Sequence, residues 1–241
     1  MRKLFTILFV ILICFVIVCA TETFAAGAAH EAKYSGIITA YRHYAANPSE
    51  DDASENLFAK VAGLTGIDPD YSNNNKSYGL NCSIDEIRFE PSENLGYSFH
   101  DLNNDGVPEL FVITSDYTIT AVYSLVNDNP ILVGAYWSRN RCVIDKSGTL
   151  YINGSSGADD SFGASYLFNG GEELQLIEMV GVEDYDELTQ QSLTEPRWYR
   201  IKDGEKTIIS ENEADTAREK IPDTYPDNPT KDAGLTFNPL L

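Results

Sequence analysis

The chain has 241 residues, of which 17 are basic and 37 acidic, giving a formal charge of −20 at pH 7. An acidic surface of this kind repels nucleic-acid backbones and anionic membranes, so neither is an expected partner. Apolar residues at 43% and 14 tyrosines can build a core, so global disorder is not implied.

Arg2 and Lys3 precede an uncharged apolar run from Leu4 to Val18, and small residues follow from Ala25 to Ala29. That run, about 15 residues, is shorter than the roughly 20 that span a bilayer as a helix. Residues 1–28 therefore read as a cleavable signal peptide. Small-x-small sites fall after Ala25 and after Ala28, the second being preferred. Cys19 ends the apolar run and makes lipid anchoring an alternative, although Val18 stands where a small residue normally precedes a lipidated cysteine. Residues 29–241 are then a single expected domain, secreted or held at the cell surface, with no transmembrane segment in the mature chain. Arg2, Lys3 and Glu22 leave with the signal, so the mature charge is −21. Oligomeric state is not set by these features.

The helical part is expected over about 31–63. Tyr34, Ile37, Ile38, Tyr41 and Tyr44 recur at helical spacing from Glu31 to about Ala46, where Asn47-Pro48 ends the helix. A second helix over about Ala53 to Ala62 buries Leu57, Phe58 and Val61, with Gly63 near its end. Residues 67–81 are polar and rich in turn signals.

A mainly β part is expected over about 82–209, opening with Ile84 to Phe89 and Gly96 to His100. It continues with Leu110 to Thr114, Thr118 to Leu125, Ile131 to Trp137, Arg141 to Ile144, Thr149 to Ile152, Ser165 to Phe168 and Leu174 to Val182. Turn residues such as Asn127-Asp128, Lys146-Ser147-Gly148 and Asn169-Gly170-Gly171 separate these runs, which favours antiparallel pairing. Trp198 to Ile201 and Lys206 to Ile209 form a last hairpin around Asp203-Gly204.

Residues 210–241 hold a helix and a tail. Ser210 and Glu213 make a capping box for a helix that stops by Ile221-Pro222. Leu235, Phe237, Leu240 and Leu241 then predict a tail docked on the domain. The expected fold class is α+β: an N-terminal helical pair packed on a mainly antiparallel β-sheet domain, with a short C-terminal helix and a docked tail.

Two cysteines survive export, Cys82 and Cys142. An oxidising compartment predicts that they pair as a disulfide. The loop so closed is about 60 residues, for which chain entropy gives roughly 4 kcal/mol.

Chemistry concentrates in Asp101 to Glu109. Asp101, Asn103 and Asp105 alternate, Gly106 supplies the bend, Val107 offers its carbonyl, and Glu109 closes the set. Alternate side chains in a tightly curled loop turn inward together, and hard oxygen ligands of this kind suit Ca2+. Position twelve, where a helix-loop-helix site carries its bidentate glutamate, is Val112, so the flanks are strands. The expected metal ligands are Asp101, Asn103, Asp105, Val107 and Glu109.

DLNNDGVPEL, Asp101 to Leu110, resembles the DxDxDGxxEL loops of secreted and surface proteins of gut Firmicutes, with Asn103 at the middle aspartate. The hairpin Asp145 to Ser155, the segment Tyr199 to Glu213 and the ending Leu235 to Leu240 look similar as well. The resemblance implies an extracellular, calcium-stabilised domain without an established enzymatic activity. The same loop geometry occurs in integrin-type propeller repeats, but a single loop implies no propeller.

The functional expectation is an extracellular calcium-binding domain with a structural ion. One alternative is a binding module for a peptide, glycan or surface protein, using Tyr136, Trp137, Trp198 and Tyr199 as aromatic platforms. A hydrolase is the other, with His100 as the candidate base. No GxSxG, HExxH, Walker or dinucleotide glycine pattern supports it, and Ser155, Ser156 and Ser161 read as parts of a loop.

Overall fold

Residues 30–46 form helix α1, whose buried Tyr34, Ile37, Ile38, Tyr41 and Tyr44 share one broad face, as the spacing requires. The computed structural model describes residues 30–68, 75–155, 160–186 and 191–241. The expected signal peptide, both cleavage sites, Cys19 and Ser156 lie outside the described residues. Among those described, no helix is long and apolar enough to cross a membrane.

Helix α2 (Ala53–Thr65) buries Leu57, Phe58, Val61 and Ala62. It ends at Gly66 rather than near Gly63, with the Gly66 backbone at φ 69 and its N–H bonded to the Ala62 carbonyl. Glycine adopts this left-handed cap without a β-carbon clash.

Helix α3 (Asn75–Ile87) corrects two expectations, the turn-rich reading of residues up to 81 and the strand from Ile84. Its buried Leu80, Ile84 and Ile87 follow the helical period. The small residues Ser77, Gly79 and Ser83 let it lie close to the sheet, and Ser83 Oγ donates to the Thr120 carbonyl at 2.8 Å.

The strands are antiparallel throughout, as expected, and divide between two sheets. The first holds β1 (Leu95–His100), β2 (Glu109–Thr114), β3 (Ile119–Val126), β4 (Asn129–Ala135) and the short β11 (Asn238–Pro239), in the order β11-β1-β2-β3-β4. The second runs β10-β9-β8-β7-β6-β5. Its strands are β5 (Asn140–Ile144), β6 (Leu150–Ser155), β7 (Ser161–Phe168), β8 (Leu174–Asp186), β9 (Gln191–Lys202) and β10 (Glu205–Ile208).

Every residue of β2 is buried, because the first sheet is covered on both faces. Leu110 and Val112 face the helices with Tyr34, Tyr41, Leu80 and Tyr123. Phe111 and Ile113 face the second sheet with Val122, Cys142, Ile144 and Leu150. A strand buried on both sides reads as the continuous apolar run LFVI rather than as an alternation.

The tail docks as expected. Leu235 enters the core between the sheets and Leu240 the core beneath the helices, while Leu241 stays 60% exposed. Helix α4 (Glu211–Arg218) begins with the expected capping box and lays Ala214 and Ala217 against Val180.

The expected disulfide is absent, and both cysteines are free thiols. Cys82 lies half-buried on α3, over the helix-covered face of the first sheet. Cys142 lies on β5, 1% exposed, in the core on the other face. A disulfide needs α-carbons about 4.4–6.8 Å apart, a spacing incompatible with a sheet standing between them.

Candidate functional site

Strands β1 and β2 pair through to His100 opposite Glu109, so the residues between them form a closed connection at the end of this hairpin. Asn104 at φ 57 and Gly106 at φ 85 supply the two left-handed positions that curl it. Side-chain oxygens then accept from the backbone inside the curl. Asp101 Oδ1 takes the Asp105 N–H at 3.2 Å and its Oδ2 the Gly106 N–H at 2.9 Å. Asp105 Oδ1 takes the Val107 N–H at 2.8 Å, and Asn103 Oδ1 the Asp105 N–H at 3.2 Å. Asn103 Nδ2 donates to Asp105 Oδ2 at 2.9 Å.

Glu109 differs from half-buried Asp101 and Asn103 and exposed Asp105, being 1% exposed. It sits on the side of β2 that faces the second sheet, at the loop end of the inter-sheet core. Its Oε2 accepts from the Leu102 N–H at 2.9 Å and its Oε1 from the Ser124 hydroxyl at 3.1 Å. Burial, reinforced by the nearby Asp105 charge, pushes its carboxyl up to about 7 against the two hydrogen bonds. Among the described residues, none of the Lys, Arg or His side chains forms an ion pair with it.

Tyr34 ties helix α1 to this loop, its hydroxyl lying 3.1 Å from the Pro108 carbonyl. Sequence reading missed that contact, since helical spacing marks Tyr34 as core and says nothing of its hydroxyl. The five expected ligand residues thus lie in one curl with Glu109 beneath it. Among the described residues, no three His, Cys, Asp or Glu side chains are gathered as a metal cage. The donor set nevertheless fits a hard cation, since carboxylate, amide and carbonyl oxygens all belong to one short loop.

His100 is half-buried, and desolvation lowers its pKa despite Asp101 beside it. Its ring meets Phe111 edge-on at 6.3 Å. Of the aromatic candidates, Tyr136 is buried, whereas Trp137, Trp198 and Tyr199 are half-buried. Arg218 stands over Trp198 at 5.8 Å and Lys206 over Tyr199 at 4.4 Å. Trp137 lines a cleft together with Tyr78, which the turn-rich reading of residues 67–81 had hidden.

No family model and no curated protein sequence matches the chain. A solved chain, described as "Structure of a Xanthomonas Type IV Secretion System related protein", is similar at 17% identity with a TM-score of 0.26. The alignment spans 46% of this chain and 56% of that one. A likeness that weak carries no argument about fold or function.

Proposed function

We propose that this chain is an extracellular domain stabilised by one calcium ion, bound by Asp101, Asn103, Asp105, the Val107 carbonyl and Glu109. The observation that carries this reading is Glu109, a carboxylate 1% exposed with hydrogen-bond donors but, among the described residues, no cationic side chain paired to it. An uncompensated buried charge is expensive, and a divalent cation shared with Asp101 and Asp105 offsets that cost. The resemblance to DxDxDGxxEL loops agrees with it. The loop's backbone hydrogen bonds hold Asp101 and Asp105 close to the curl, so binding needs side-chain rotation rather than refolding. Because the unfolded chain cannot present these oxygens together, binding energy becomes folding energy. Extracellular modules hold calcium at about 0.1–1 mM, which suits a stabilising ion better than a sensor.

The test is thermal unfolding of residues 29–241 with calcium and with chelator, repeated on Asp105→Ala. The expected result is a saturable rise in melting temperature that Asp105→Ala loses. At one hundred times the dissociation constant it corresponds to about 2.7 kcal/mol. An unshifted transition in the native sequence removes the proposal.

A further inference from the structure

A cleft of about 440 Å³ opens where the edge strand β4 parts from β6 and β7, beside the first turns of α3. That volume lies within the usual range for small-molecule sites, about 300–1,000 Å³. Its walls are apolar and aromatic, formed by Trp137, Tyr78, Phe162 and Leu174.

Three features narrow what it can hold. The rings of Tyr78 and Trp137 meet edge to face, at 5.9 Å and 82°. Their arrangement makes a slot rather than the flat, open ring face on which a sugar stacks. Helix α3 also closes on the strand: a β-carbon at Gly79 would stand 3.3 Å from the Ala135 carbonyl oxygen. The outer edge of β4 is covered there, which opposes addition of a peptide strand. Finally, the Tyr136 hydroxyl is buried against the Cys142 thiol, in a residue 3% exposed. It lies over cleft-lining Gly134, where a β-carbon would stand 2.5 Å away. A hydroxyl in that position gives the apolar wall one polar atom.

The charges at the cleft add a sign. Among the described residues, Lys76, Arg139 and Asp160 line it, two basic side chains and one acidic on a chain of formal charge −20. Arg139 is exposed, and among the described residues none of the acids forms an ion pair with it. Lys76 is already turned to the Glu172 carbonyl at 2.5 Å.

We propose that this cleft binds a small organic carboxylate with an aromatic or branched apolar body, the body between Trp137 and Phe162 and the carboxylate on Arg139. The site is independent of the cation-binding loop, so either proposal can fail without the other.

The chain has two tryptophans, and Trp198→Phe leaves Trp137 as the sole indole reporter. In that background N-acetyl-L-phenylalaninate and its uncharged amide are titrated while indole emission is followed, with calorimetric titration of the same pair as a second readout. The carboxylate should bind saturably, and the amide about fivefold more weakly, the scale of one partly exposed ion pair. Arg139→Gln should bring the carboxylate down to the amide. Absence of saturable binding of the carboxylate by both readouts overturns the site. Equal binding of the two compounds, or indifference to Arg139→Gln, overturns the carboxylate assignment.

Discussion

Glu109 is the residue on which the loop's chemistry turns. Its carboxyl stands at about 7 in the folded chain against an ordinary value of 4.5. A raised carboxyl favours the folded state at low pH, where both states hold the proton. That advantage is lost as pH climbs from about 4.5 through 7, because the folded chain must then ionise a buried group. The span corresponds to roughly 3 kcal/mol. In chelator, denaturant unfolding should therefore show stability falling over this window, and Glu109→Gln should flatten the fall. Calcium should remove it from the native sequence. An identical slope in both proteins without calcium would show that another group governs the window.

At the scale of the element, α4 illustrates how a local signal becomes a stable start. Ser210 Oγ accepts from the Glu213 N–H at 3.4 Å, while Glu213 Oε2 accepts from the Ser210 N–H at 2.9 Å. Loss of such a cap costs about 1 kcal/mol. Ser210→Ala should lower unfolding stability by that amount, and local hydrogen exchange should rise first at the amides of Asn212 and Glu213. The hairpin before it is equally local. Asp203 at φ 53 and Gly204 at φ 80 make a two-residue turn, the geometry that matches strand twist. No long-range contact is needed for either.

At the scale of the whole molecule, the first sheet divides the core in two, and the tail fastens both halves. Leu240 is 3% exposed beneath the helices, its N–H bonded to the Leu95 carbonyl at 3.1 Å. Arg42 Nε also donates to the Leu240 carbonyl at 2.9 Å. Leu240→Ala should cost about 2–4 kcal/mol in denaturant unfolding, as other buried leucines do. A cost below about 1 kcal/mol would mean that the tail is loosely held. The same partition governs the thiols. A thiol-specific disulfide reagent should modify Cys82 in the native protein and reach Cys142, whose burial pushes its thiol up to about 12, only on unfolding. Two thiols should titrate in denaturant without reductant.

What the sequence determined by itself was whatever depends on neighbours within a few residues. The period of Tyr34, Ile37 and Tyr41, the capping box at Ser210, the Asp203-Gly204 turn and the curl of Asp101 to Glu109 are all of this kind. Each is fixed by backbone geometry and by side chains close in the chain. α3 was legible in the spacing of Leu80, Ile84 and Ile87, but the turn-forming residues before it masked that period. Only the tertiary structure decided how the strands divide between two sheets, since pairing partners far apart in sequence are chosen by which apolar faces can be buried together. It also decided the fate of Cys82 and Cys142, which spacing and compartment alone would have paired. Finally, it placed Glu109 in the core beneath the loop and set the Tyr136 hydroxyl against the Cys142 thiol beside a cleft. Both depend on which distant side chains close around a group, and chain neighbours carry no record of that.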